Sequence, residues 1–126
     1  MRYVNNYNYN LLLANPIANI AATDMASTIT GKALLLRDGL NFSVFLKWSG
    51  TPTGTFKLQC SNDVCGVEVE PTDWEDVTGS SYAVAGAAGQ LVFNYDTAPF
   101  RWLRVVYTAT SGSGTLTKAT FNLKGN

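Results

Sequence analysis

Histidine is absent from the 126 residues of this chain, and charged residues of any kind make up only 14% of it. Without histidine the sequence lacks the most frequent general base and the most frequent zinc-binding side chain. The common forms of the catalytic triads are therefore excluded. The two cysteines alone cannot complete a structural zinc site, which needs four ligands. We expect a protein that is not an enzyme.

Long apolar runs are missing as well. No segment approaches the roughly 20 consecutive apolar residues of a membrane-spanning helix, and the N-terminus lacks the apolar stretch of a secretory signal. These features predict a protein that is made in the cytoplasm and has no membrane partner. Lys and Arg are few and do not cluster with aromatic residues in the sequence, so no nucleic-acid partner is expected either.

Basic residues are also absent from the middle of the chain. No Lys or Arg occurs between Leu58 and Phe100, although nine of them balance nine acidic residues in the whole sequence. Complementary acidic and basic patches steer and orient association. The segregation predicts a homo-oligomer assembled head to tail, unless the strands interleave in space and the asymmetry averages out.

Alternation of apolar and polar residues is the strongest pattern that is present. Its apolar members before the first turn are Phe42, Val44, Leu46 and Trp48. After Thr51-Pro52-Thr53-Gly54 the pattern resumes at Phe56 and Leu58. Period-2 alternation places one row of side chains on each face of a sheet, and a Pro and a Gly at these positions suit a type I turn. The pattern predicts a long β-hairpin, and a second hairpin is predicted near the C-terminus.

Eight strands are predicted in all, separated by turns rich in Gly and Ser. They lie at about residues 26–29, 32–37, 41–49, 55–61, 74–77, 90–94, 101–108 and 115–124. No helical period is visible. Seven or eight such strands predict an all-β fold, a single antiparallel β-sandwich over residues 24–126 with jelly-roll or immunoglobulin-like connectivity. Trp48 and Trp102 are expected in its core.

Residues 1–23 differ from the rest, because tyrosines alternate with asparagines and a Leu triplet follows. The tyrosines are Tyr3, Tyr7 and Tyr9. We predict an extended N-terminal arm that lies against a neighbouring molecule. The alternative is a first edge strand packed on its own domain.

An acidic loop is the most distinctive segment after the first hairpin. Its carboxylates belong to Asp63, Glu68, Glu70, Asp73 and Asp76. They offer the hard oxygen ligands of Ca²⁺, although their spacing does not match an EF-hand, and a solvated loop is the alternative. No other cofactor is expected. Glu68 and Glu70 share one face and are the only carboxylate pair that resembles a glycosidase site.

Cys60 and Cys65 stand at the start of this loop, close enough for a disulfide. Free, buried thiols are the favoured alternative, because cytoplasmic proteins keep their cysteines reduced. Trp74 follows Asp73 at the far end of the loop. Its ring either caps the sandwich or offers a flat face to a sugar or a peptide.

Three segments around the loop resemble a known pattern. They are Lys57–Asp63, Asp73–Ser80 and Phe100–Tyr107. In order they give a strand, Ser-Asn-Asp, Trp-x-Asp, Gly, and then an aromatic residue, Arg, an aromatic residue, a hydrophobic residue, Arg and Val. This order is similar to that of small β-sandwich proteins encoded by tailed bacteriophages, over residues from about 34 to 123. Related patterns recur in discoidin-like and carbohydrate-binding sandwiches.

The resemblance implies a virion structural protein, in a head decoration, a head fibre or a tail, that binds copies of itself and other virion proteins. The alternative is a carbohydrate- or receptor-binding module. The candidate interaction residues are Tyr3, Tyr7, Tyr9, Asn62, Asp63, Asp73 and Trp74.

Overall fold

The computed structural model describes residues 6–10, 23–31, 33–36, 39–64, 71–96 and 100–125. These residues form β-strands joined by turns, and none of the described ranges contains a helix that is long and apolar enough to cross a membrane. The strands are β1 (Asn6–Asn10), β2 (Thr23–Asp24), β3 (Ile29–Thr30), β4 (Leu34–Leu35), β5 (Gly39–Gly50), β6 (Thr53–Ser61), β7 (Glu75–Asp76), β8 (Tyr82–Ala85), β9 (Gly89–Tyr95), β10 (Trp102–Ser111) and β11 (Gly114–Gly125).

The strands form two antiparallel sheets. The first sheet has the order β1-β11-β5-β9, with β2 also beside β11, and the second has the order β3-β10-β6-β7, with β4 beside β10 and β8 beside β6. β1 and β2 therefore both pair with β11, β3 and β4 both pair with β10, and β7 and β8 both pair with β6. If each such pair is counted as one interrupted strand, the described residues form eight strands, and the predicted all-β sandwich is confirmed.

The chain changes sheet at most of its later connections. β5 lies in the first sheet and β6 in the second, β8 and β9 are separated in the same way, and both β9–β10 and β10–β11 cross between the sheets. In consequence β5 pairs with β11, and β6 pairs with β10. Two four-stranded sheets linked by such crossings form a jelly roll. Of the two connectivities left open by the sequence, the structure has the jelly-roll one.

The predicted hairpin between β5 and β6 is wrong, because these strands face each other across the core and do not pair. The chain turns at Gly50, which has a φ of 88°, and Pro52 is buried. The second predicted hairpin, between β10 and β11, is wrong for the same reason. The two crossing turns touch, since the Thr51 amide donates to the Ser113 carbonyl at 2.9 Å.

The core lies between the sheets and is rich in aromatic side chains. Trp48 of β5 packs on Phe56 of β6 with ring centroids 5.3 Å apart, and Phe56 packs on Tyr107 of β10 at 4.8 Å. Alternation in β5 therefore predicted the core face correctly, including Trp48. Trp102 is buried, with 4% of its surface exposed, but it lies outside the core cluster. Its strand neighbour Leu103 faces the core between the sheets, so Trp102 faces outward. The expectation that the Trp102 ring is buried is confirmed, but the ring is buried outside the core cluster.

β1 is an edge strand of the first sheet. Its register places Tyr7 opposite Leu123 and Tyr9 opposite Phe121. Residues 6–10 therefore follow the alternative prediction, a first edge strand packed on its own domain. Tyr3 lies outside the described residues, as does the segment 11–22. The boundary between residues 23 and 24, and any contact with a neighbouring molecule, stay predictions.

β8 is a strand that the sequence did not predict. Only Val84 of its four residues is buried, so the alternation is too short to stand out. Between β7 and β8, the buried Ser80 hydroxyl accepts from the Leu58 amide at 3.0 Å and donates to the Val77 carbonyl at 2.7 Å. This hydroxyl completes the pairing of β6 where the two short strands leave a gap.

Candidate functional site

The Ser-Asn-Asp segment ends β6 and ties it to the start of β10. The Asn62 side-chain oxygen accepts from the Arg101 amide at 2.9 Å, and the Trp102 indole donates to the Asp63 carbonyl at 3.1 Å. The Asp63 amide in turn donates to the Ser61 hydroxyl at 3.2 Å. These bonds bring the loop start over the outward-facing Trp102 and explain why that ring is buried.

The Asp63 carboxylate closes the acidic loop. Its Oδ2 accepts from the Thr72 amide at 2.7 Å and from the Asp73 amide at 3.1 Å, across the loop. Backbone N–H donors favour the ionised carboxylate. The hydrogen bonds from Asp73 and Thr72 accordingly hold the pKa of Asp63 below its ordinary value.

Acid is therefore expected to weaken the loop closure. Because the pKa of Asp63 is lowered by folding, its stabilising effect is present above the ordinary carboxyl pKa of about 4 and is lost as the pH falls through the lowered value. Urea unfolding measures this at about pH 7 and about pH 3. The stability advantage of the wild type over Asp63→Asn should be present at the higher pH and shrink at the lower one.

Asp73→Asn is the matched control, since it removes the same charge from the same loop and its carboxylate makes none of these bonds. The difference between wild type and Asp73→Asn should change less with pH. An equal change in both variants would contradict the role of Asp63.

Trp74 lies at the other end of the loop and is half-buried. Its indole donates to the Pro71 carbonyl at 3.1 Å, and the Arg104 guanidinium carbon lies 4.2 Å from the ring centroid. The Arg104 Nε also donates to the Gln59 side chain at 2.8 Å. One face of the Trp74 ring is thus occupied by a cation from its own chain, in a cation–π contact.

Asp76 continues this row of contacts on the second sheet. Its carboxylate accepts from the Gln59 side-chain Nε2 at 2.9 Å and forms an ion pair with Lys57 at 3.3 Å. The hydrogen bond from Gln59 is the largest cause that lowers the pKa of Asp76, and the hydrogen bond from Lys57 is the next largest. Lys57 comes from a basic flank of the sequence and Asp76 from its acidic middle. The strands therefore interleave opposite charges at this point.

The structure brings Asn62, Asp63, Asp73 and Trp74 to one end of the second sheet, and their role in an interaction stays a prediction. The bonds of Asn62, Asp63 and Trp74 run within the chain and hold the loop in place. The described residues contain no group of three potential metal ligands. Glu68 and Glu70 lie outside the described residues, so calcium binding stays a prediction.

Cys60 is a half-buried thiol on β6, and burial is the main cause that raises its pKa. Cys65 lies outside the described residues. The disulfide between them accordingly stays a prediction.

Sequence reasoning missed a second surface, on the outer side of the first sheet. We call it the β5–β9 face and define it by Phe45, Lys47, Val92 and Lys118. Val92 is 49% exposed and lies opposite Phe45 in the strand register. The Lys118 ammonium lies 5.6 Å from the Phe45 ring centroid, and Lys118 is opposite Lys47. The signal was present, because Phe45 is the one large apolar residue among the polar positions of β5.

A polar groove adjoins this face at the ends of β5, β9 and β11. It has a volume of about 450 Å³ and is lined by Asn41, Phe42, Ser43, Asn94, Tyr95, Asp96 and Asn122. The Asn122 side-chain oxygen is buried and has no hydrogen-bond partner among the described residues. A buried acceptor of this kind is costly unless a donor reaches it. The exposed side-chain amides of Asn41 and Asn94 give the groove both hydrogen-bond donors and acceptors.

The fold is similar to those of two phage-derived proteins. The SPBc2 prophage-derived protein YomS matches with a TM-score of 0.56 at 13% sequence identity, over 99% of this chain and 97% of YomS. The enzymatically active domain of bacteriophage CBA120 tailspike protein 4 matches with a TM-score of 0.53 at 10% identity, over 95% of this chain. The match spans only 18% of the tailspike chain.

The sequence comparisons are negative. No protein-family model matches the chain, and no curated protein is similar to it in sequence. At 13% and 10% identity, the two structural similarities show a shared fold and no more.

Proposed function

We propose that this protein is a non-enzymatic structural component of a bacteriophage virion that assembles with copies of itself and with other virion proteins. The observation that carries the proposal is the end-to-end match to YomS, a phage-derived protein of nearly the same extent. The tailspike similarity supports the same association with phage particles.

The chemistry of the described residues supports a structural role. The carboxylates of Asp63 and Asp76 are engaged in hydrogen bonds that hold the loop and β7 in place. Histidine is absent from the whole sequence. In contrast, the β5–β9 face exposes apolar surface, as contact surfaces between proteins do.

Detection of the protein in purified phage particles tests the proposal. We expect it to remain with the particles through density-gradient centrifugation and high-salt washing, at a fixed number of copies per particle. A protein that stays in the soluble fraction of the lysate while particles form normally would overturn the virion assignment.

The N-terminal region is tested in the same particles. Deleting residues 1–23 would remove β1 from the first sheet, so a point substitution is the cleaner change. We expect Tyr3→Ala to reduce incorporation by about tenfold, because truncating a tyrosine at a contact between proteins typically costs more than about 1 kcal/mol. Tyr82→Ala, a partly exposed tyrosine on the second sheet, is the control. Equal incorporation of Tyr3→Ala and wild type would remove the anchoring role of this residue.

A carbohydrate- or receptor-binding module is the second candidate, and the polar groove lined by Asn41, Asn94 and Asn122 favours it. Sugar hydroxyls can donate to, and accept from, the exposed side-chain amides of Asn41 and Asn94. A glycan array measures this directly. We expect Asn41→Ala and Asn94→Ala to abolish glycan binding. Trp74→Ala should leave the binding intact, because Arg104 already occupies one face of the Trp74 ring. A uniformly negative array would reject this candidate.

A further inference from the structure

β9 is an edge strand of the first sheet among the strands that the structure describes. Of the described strands, only β5 pairs with it, over seven consecutive residues from Gly89 to Tyr95 and without a bulge. In an antiparallel pair, alternate residues direct their N–H and C=O groups away from the neighbouring strand. β9 therefore presents a row of backbone donors and acceptors on the side opposite β5.

The residues of β9 itself lack the sequence features that usually protect a free edge. Its sequence, GQLVFNY, contains no Lys, no other charged residue and no Pro. Charges, prolines, bulges and shortness are the devices that prevent a sheet edge from pairing with another chain. In the second sheet the edge strands are short, since β3, β4 and β7 have two residues each and β8 has four. β9 is thus the long, uncharged edge among the strands whose side chains are described.

We propose that β9 pairs antiparallel with β9 of a second copy of this chain, about a two-fold axis at Val92. The inference rests on the proposed assembly role and deepens it by naming the surface and the partner. A two-fold interface needs a self-complementary patch, and β9 is one. In this register Val92 lies opposite its own counterpart, Gln90 opposite Asn94, and Leu91 opposite Phe93 of the second copy.

Both faces of the strand agree with this pairing. On the outer face, Val92 and its counterpart join the Phe45 side chains into one apolar stripe, flanked by amide pairs between Gln90 and Asn94. On the core face, Leu91 is only half-buried although it packs against the core cluster. Its pairing with Phe93 of the second copy completes its burial. No like charges are brought together, because β9 carries none.

Light scattering of the purified full-length protein tests the pairing. We expect twice the mass of one chain at about 100 μM, with dissociation on dilution. Val92→Lys places two ammonium groups at the axis and should weaken the dimer by at least about tenfold. Val64→Lys is the matched control, because Val64 is 86% exposed and lies outside every strand. It should leave the dimer unchanged.

Mixing two variants provides a result that only the two-fold arrangement explains. Val92→Glu should also be monomeric alone, and an equimolar mixture with Val92→Lys should form heterodimers, since opposite charges then meet at the axis. Circular dichroism of each variant checks folding, and restored association in the mixture proves that both variants are folded.

A monomeric wild type at about 100 μM would overturn the inference. An assembly whose mass Val92→Lys leaves unchanged would overturn it as well, as would a mixture that fails to associate. None of these results affects the presence of the protein in particles, so the inference and the virion proposal fail separately.

Discussion

Replacement of Gly112 by alanine is expected to lower the free energy of unfolding by about 3 kcal/mol. Gly112 has a φ of 75°, a left-handed conformation that a Cβ disfavours. An added Cβ would also collide with the Thr51 carbonyl oxygen in the other crossing turn. This neighbour is backbone, so it cannot move aside as the end of a flexible side chain can.

Gly79→Ala is the control that separates the two causes. Gly79 has a φ of 80°, but nothing lies within 4 Å of the Cβ position. Its substitution carries the conformational cost alone, about 1 kcal/mol. Urea unfolding of both variants gives the difference. Equal losses of stability in the two variants would mean that a Cβ at position 112 does not collide with the Thr51 carbonyl oxygen.

The contact between these turns is what the sequence could not reveal. Alternation in β5 and β6 correctly separated core-facing residues such as Leu46 and Leu58 from outward-facing ones. The same alternation arises whether two consecutive strands pair within a sheet or face each other across the core. The pairing of β5 with β11 joins segments that are far apart in the chain, and local turn chemistry carries no information about it.

The candidate site divides in the same way. Asn62, Asp63, Asp73 and Trp74 were candidates because they belong to the Ser-Asn-Asp and Trp-x-Asp segments at the two ends of one loop, and these ends lie close together in the structure because the flanking strands β6 and β7 pair. The β5–β9 face was missed because it depends on register between distant strands, which places Val92 beside Phe45. Edge status is equally non-local, since β9 is an edge only because no other described strand follows it in the sheet order.

Trp102→Ala is the second change with a large expected effect, about 3 kcal/mol of lost stability. The ring is almost fully buried on the outer face of the second sheet, and its indole donates to the Asp63 carbonyl at 3.1 Å. Removing it takes away both apolar burial and the hydrogen bond that positions the start of the loop. Urea unfolding measures the total loss.

Trp102→Phe and Trp74→Ala are the companion variants. Phenylalanine keeps most of the apolar contact and loses the indole donor, so we expect a cost of about 1 kcal/mol. Trp74 is half-buried and pairs with Arg104 on one face, and its removal should cost about 1 kcal/mol. A loss for Trp102→Ala no greater than that for Trp74→Ala would contradict the burial of Trp102.

Hydrogen exchange distinguishes an outer-face Trp102 from a core one. If the ring supports the loop from outside the sandwich, the amides of Thr72 and Asp73 that Asp63 holds should lose protection in Trp102→Ala even under conditions where β10 stays closed. A core tryptophan would instead lower protection in both sheets together, because its loss acts through global unfolding. A loss of protection confined to Thr72 and Asp73 would thus show that Trp102 supports the acidic loop.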